Sequence, residues 1–161
     1  MKMKKQIVMA TVAIMLMAVL IMPPVMASAD MKTIDAGGNQ LKLVELKENN
    51  IGDIIERGHV QSSLRGQLDP YTWDGQRVYL SATMRVEITI DHTPTDATGV
   101  VLGVWDDDLN PIEYIIDDNQ DGHAHFPSSG TCTIPENGYY RIVVGALEDG
   151  FSYDGWYDVY W

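Results

Sequence analysis

The chain has 161 residues, with 23 acidic against 11 basic side chains, a net charge of −12 at neutral pH and a single cysteine. That excess of negative charge excludes nucleic acid and anionic membrane surfaces as partners, because both are gripped by clustered Lys and Arg. A lone cysteine excludes an internal disulfide, so stability has to come from packing, from a metal or from a partner.

Residues 1–29 read as a cleaved secretory signal. Lys2, Lys4 and Lys5 form a basic start, residues 7–22 are apolar apart from Thr11, and Ala27-Ser28-Ala29 is a small-x-small cleavage pattern. The competing reading, a retained anchor, is weakened by the shortness of the run and by Pro23-Pro24, which closes it. The only cysteine, Cys132, lies far downstream, so no lipid anchor is expected. The expected protein is secreted, in the cell envelope or extracellular, with no membrane attachment after cleavage. What remains suits one domain with a real core and is cramped for two.

Residues 30–60 are polar, with Gly37-Gly38 and a modest alternation at Leu41 and Leu43, and read as a leader or a first edge strand. The stretch "NIGDIIERGHV" is too short to hold a helix and offers at most one turn. Residues 61–161 read as strands. In "MRVEITI" the residues Met84, Val86, Ile88 and Ile90 share one face, the pattern of a half-buried antiparallel strand, and "RVYL" before it is expected as its neighbour. Val100, Leu102 and Val104 point inward in "GVVLGVW", with Gly103 and Trp105 opposite. "DDDLNP" is a turn, since Asp and Asn bond their own backbone, and "IEYII" is the strand that follows. "GHAHF" comes next. "TCTI" and "YYRIVVGAL" are expected to form a hairpin about Asn137-Gly138, with Tyr140, Ile142 and Val144 in the core and Cys132 a small buried residue. "WYDVYW" is the last strand. Short strands with one apolar face each, and no helix long enough for a βαβ unit, predict an all-β, antiparallel, jelly-roll-like β-sandwich as a single domain.

The succession "SSLRGQLD", "RVYLSATMRVEITID", "GVVLGVWDDDLNPI", "DDNQDG", "ENGYYRIVV" and a closing Tyr-containing strand resembles the bacterial and archaeal pre-peptidase C-terminal domain over residues 62–161. The order of the motifs carries the resemblance more than any one of them. It implies a jelly-roll sandwich that is usually appended to exported enzymes as a secretion, targeting or substrate-binding accessory without catalytic residues. Related collagen-binding domains hold calcium with acidic side chains. No peptidase precedes the domain in this sequence, so a stand-alone binding or structural role is the expectation.

Two sites follow as candidates. Asp117, Asn119, Asp121 and Gly122 stand at positions 1, 3, 5 and 6 of a calcium loop, but Ser128 stands at position 12, where a bidentate Glu belongs. An EF-hand is therefore excluded. Calcium could still bind if Asp106, Asp107 and Asp108, or Asp96, completed the set; otherwise these are solvated acidic turns. The second site is aromatic. If Tyr157, Val159 and Trp161 face the core, then Trp156, Asp158 and Tyr160 face outward, a strip able to stack on sugar or proline rings. Trp105 is the further aromatic candidate, although a Trp on a sandwich strand usually packs. His123 and His125 share a strand face but lack a convincing third metal ligand, and so read as surface residues.

No Gly-x-Ser-x-Gly, His-Glu-x-x-His or phosphate-cradling loop is present, and catalysis is not expected. Two readings survive. One is a binding module for an extracellular glycan or protein, with calcium as its candidate cofactor. The other is a structural, self-associating envelope protein.

Overall fold

The computed structural model describes residues 32–49 and 58–161, and among them there are eleven strands and no helix. The signal segment and residues 50–57 of the stretch "NIGDIIERGHV", where at most one helical turn is expected, lie outside the described residues, and the end of that stretch enters the strand His59–Leu68.

Sheet A has the order β1-β2-β4-β10-β6-β7, built from Thr33–Ala36, Asn39–Asn49, Thr72–Leu80, Gly138–Ala146, Val100–Asp106 and Pro111–Asp117. Sheet B has the order β3-β11-β5-β8, built from His59–Leu68, Phe151–Tyr160, Arg85–Thr93 and His123–Phe126, with β9 (Cys132–Thr133) also paired to β5. The two-sheet, all-β architecture is the one expected. Its main core lies between the sheets, where Val86, Ile88 and Ile90 of β5 meet Leu102, Val104, Ile142 and Val144 of sheet A, all buried. Each such aliphatic side chain contributes about 1.5–3 kcal/mol on burial. Cys132 is a free thiol within this core.

Three expectations are corrected. "RVYL" and "MRVEITI" are not neighbours, because β4 lies in sheet A and β5 in sheet B. "TCTI" and "YYRIVVGAL" form no hairpin, since β9 pairs with β5 while β10 pairs with β4 and β6. A two-residue Asn-Gly turn needs positive φ at both positions, and neither Asn137 nor Gly138 has it. The Asn137 side chain instead accepts the Ala82 N–H at 2.8 Å, tying two crossing loops together. Lastly, the sheets are not wholly antiparallel, because β2 runs parallel to β4.

The parallel strand explains a second core. Ile34 and Ala36 of β1 and Leu41 of β2 are buried with Trp73, Val101, Trp105 and Val143, on the face of sheet A turned away from sheet B. Leu41 lies over Gly145 of β10 so closely that a Cβ there would meet its Cδ1 at 2.7 Å. The two ends of the sheet order also touch, with Gly37 N–H donating to Tyr114 Oη at 3.0 Å. Sheet A is thus curled upon itself, and both faces of β6 and β10 are buried. A bulge at Val44 lets β2 enter this curl, and Val44, the extra residue, is exposed.

Candidate ligand-binding face

The outer face of sheet B follows from the period of two along its strands. Cross-strand registers place Ser63, Trp156, Thr89 and His125 in one row. On one side of that row lies Arg65, Asp154, Asp91 and His123; on the other lies Gln61, Asp158 and Glu87, followed by His59, Tyr160 and Arg85. Four strands at the usual spacing give a face about 14 Å wide. Every residue on these rows is polar or amphipathic, and Trp156 is at its centre, 39% exposed.

The side chains around Trp156 hold one another in place. Arg65 pairs with Asp154, His123 Nδ1 lies 2.9 Å from Asp91 Oδ1, and His125 Nδ1 lies 2.9 Å from Thr89 Oγ1. Asp158 is only 7% exposed although it points outward, because His59 Nε2 at 2.6 Å and Gln61 Nε2 at 3.1 Å close over its Oδ1. The His59 ring also stacks on Tyr160, with centroids 4.7 Å apart. Burial raises the Tyr160 phenol above its ordinary value, and the neighbouring Asp158 and Glu87 carboxylates add to the effect. A shallow groove of about 440 Å³ crosses the Arg65, Asp154 and Asp91 end of the face.

Trp156, Asp158 and Tyr160 therefore share one face, as expected, although Asp158 is occupied by His59 and Tyr160 is half-buried. Trp161 does not enter the core; it is 43% exposed, its backbone N–H donating to Gly58 O at 3.1 Å. Trp105 does not join the face at all. It is buried inside the curl of sheet A, stacked on Tyr114. The His59, Gln61 and Arg65 side of the face was missed, because β3 precedes the strongly patterned strands and only its pairing with β11 brings these residues to Trp156.

The acidic residues fall into two groups that do not meet. Asp106, Asp107 and Asp108 belong to the β6–β7 turn, whereas Asp117, Asn119 and Asp121 follow the far end of β7. An antiparallel hairpin holds its turn and its open end apart by its own length, about 20 Å for seven residues. The turn aspartates thus cannot complete the loop as expected from the sequence. Among the described residues no three His, Cys, Asp or Glu side chains group closely enough to hold a metal. Asp106, Asp107, Asp117 and Asp121 have local tasks instead. Asp106 accepts from the backbone and side-chain amides of Asn110 at 2.8 and 2.9 Å. Asp117 and Asp121 each accept the N–H two residues on, from Asn119 and His123, both at 3.0 Å.

Asp107 joins two arginines. Arg77 Nε and Nη2 donate to its two oxygens at 3.0 and 2.9 Å, and the buried Arg141 lies 2.9 Å from Oδ1. The Arg77 bond foremost, and then the Arg141 charge, hold the Asp107 carboxyl below the usual carboxylate range.

No family model matches the chain, and no curated protein matches it. Solved structures similar to it include a periplasmic inhibitor of g-type lysozyme from Aeromonas hydrophila, 14% identical at a TM-score of 0.43, covering 72% of this chain and 99% of that one. A mutant of the Escherichia coli inhibitor is 13% identical at a TM-score of 0.44, over 73% and 98%. The pre-peptidase C-terminal domain of Bacillus anthracis collagenase is 14% identical at a TM-score of 0.42, over 71% and 92%. The chain is a two-sheet β-domain.

Proposed function

We propose that the protein is a secreted, non-catalytic module that binds an extracellular carbohydrate on the outer face of sheet B. The observation that carries this reading is Trp156, exposed at the centre of a face whose other side chains are polar and mutually ordered. An indole offers a flat apolar platform to the C–H side of a sugar ring, while donors and acceptors on either side meet hydroxyls. Gln61, Ser63, Thr89 and Arg65 supply such groups in the rows beside it. Because Asp154, Asp158 and Asp91 already pair with Arg65, His59 and His123, binding would order few side chains, and ordering is a main cost of association. A protein ligand would use the same face.

The test is a glycan array followed by calorimetry, with Trp156→Ala as the comparison. Binding that Trp156→Ala abolishes, at unchanged thermal stability, supports the reading, whereas binding indifferent to this substitution removes it.

The second reading, self-association, rests on a different surface. Tyr79 and Tyr139 stand exposed as a T-shaped pair, centroids 5.3 Å apart, on sheet A. If they mediate assembly, the double substitution Tyr79→Ser/Tyr139→Ser converts an oligomer to a monomer in light scattering.

A further inference from the structure

His123 and His125 are alternate residues of β8, the edge strand of sheet B, and both project from its outer face into solvent. Their Cα atoms are therefore about 6.7 Å apart. Each ring is fixed through the same nitrogen, His123 Nδ1 at 2.9 Å from Asp91 Oδ1 and His125 Nδ1 at 2.9 Å from Thr89 Oγ1. An ionised carboxylate can only accept, so the neutral His123 ring carries its proton on Nδ1 and its lone pair on Nε2. A carboxylate behind Nδ1 is the arrangement that orients a metal-binding imidazole and makes its other nitrogen more basic. The Thr89 hydroxyl can accept in the same way and select the same tautomer for His125.

The surroundings favour a cation. Both rings line a groove of about 650 Å³ together with Asp117, Asp118, Asn119 and Asp121. Asp118 accepts the backbone N–H of Gly99 at 2.7 Å, and Asp117 and Asp121 accept within their own turns, so these carboxylates bring negative charge to the groove. A concave wall of one sign raises the local concentration of counter-ions.

We propose that His123 and His125 form an open two-histidine site for a divalent transition-metal ion such as Zn²⁺, bound through both Nε2 atoms with water in the remaining positions. Imidazole selects this class of ion over the hard cations, which prefer oxygen. The site shares Thr89 and the His123–Asp91 pair with the face around Trp156, but Zn²⁺ binding and carbohydrate binding are read by separate measurements and either can fail without the other.

Calorimetry of the untagged protein with Zn²⁺ tests the site, with Mg²⁺ and Ca²⁺ as controls. One Zn²⁺ per chain is expected, and the double variant His123→Ala/His125→Ala, which keeps every carboxylate, reduces the binding to the level of Mg²⁺. Asp91→Asn weakens it about tenfold, as loss of an orienting partner does. In the unsubstituted protein, long-range ¹H–¹⁵N NMR shows Zn²⁺ shifting the Nε2 resonances of both rings, a readout that depends on no variant. Absence of Zn²⁺-specific binding, full retention in the double variant, or a shift at Nδ1 instead of Nε2 would each overturn the proposal.

Discussion

Tyr153 Oη of β11 donates to Asp74 Oδ2 of β4 at 3.1 Å, a buried hydrogen bond from one sheet to the other. The other carboxylate oxygen accepts the N–H of Glu45 at 3.0 Å, the amide that follows the Val44 bulge in β2. One aspartate thus fastens three strands and satisfies a backbone group that the bulge takes out of the ladder. Gly66 beside it has no room for a side chain, since a Cβ would lie 2.5 Å from Asp74 Oδ2. Removing the donor with Tyr153→Phe leaves a buried carboxylate oxygen unsatisfied and costs about 1–3 kcal/mol in denaturant unfolding.

The same carboxylate gives a pH signature. Burial outweighs its hydrogen bonds and raises the Asp74 pKa above its ordinary 3.8. A raised carboxyl pKa means that the folded state holds the proton longer than the unfolded one, so this group's contribution to stability declines as pH rises from about 4 through the folded pKa. Asp74→Asn should remove that decline. Stability measured from pH 3.5 to 7 then falls less for the variant than for the unsubstituted protein, and parallel profiles would refute the assignment.

Four tryptophans separate cleanly by environment. Trp73 and Trp105 are wholly buried, whereas Trp156 and Trp161 are 39% and 43% exposed. Acrylamide should quench two of the four, and Trp156→Phe should remove one of these without moving the thermal midpoint, because exposed substitutions fall within about 0.5 kcal/mol. A saturating carbohydrate ligand is expected to protect Trp156 and leave Trp161 quenchable.

The sequence told the fold class through alternation, and the outward strip of Trp156, Asp158 and Tyr160 on the last strand through the same rule. It did not tell which strands are neighbours. Strand pairing is a long-range choice, and a segment such as "TCTIPENGYY" carries the local marks of a hairpin although its two halves serve different sheets. The curl of sheet A was hidden for another reason. Val101 and Trp105 lie opposite Val100, Leu102 and Val104, and with apolar residues on both faces the pattern says only that the strand is buried. Calcium-loop spacing at Asp117 to Gly122 was visible, but the backbone bonds that Asp117 and Asp121 make are those any acidic turn makes.

Gly155 tests how closely β11 and β5 approach beneath Trp156. A Cβ at this position would collide with Thr89 O and lie 2.7 Å from Ile90 Cα, both backbone atoms that cannot swing aside. Gly155→Ala should therefore cost about 3 kcal/mol or more, at the upper end for overpacking. Denaturation midpoints read the effect directly, and a near-neutral result would show that the two strands lie farther apart.

Asp107 is expected to act as a structural counter-charge. Arg141 is 1% exposed, and its Nη1 also donates to the carbonyls of Asp106 and Asp107 at 2.9 and 2.6 Å. Asp107→Ala strips a buried guanidinium of its carboxylate partner. Loss of a fully buried partner costs about 3–5 kcal/mol, but the Asp107 side chain is 43% exposed, so the expectation is nearer 1–3 kcal/mol. Its lowered pKa fixes the sign with pH: the stabilisation is present above about 3.8 and is lost as pH falls through the folded value. Stability of Asp107→Ala and of the unsubstituted protein should therefore converge in acid. Calcium supplies the contrast. With Asp106–Asp108 remote from the Asp117–Asp121 loop, the thermal midpoint in EDTA and in millimolar calcium should agree. A calcium-specific rise abolished by Asp121→Ala would show instead that the loop gathers ligands on binding, since an ion held by the native state alone raises its stability by mass action.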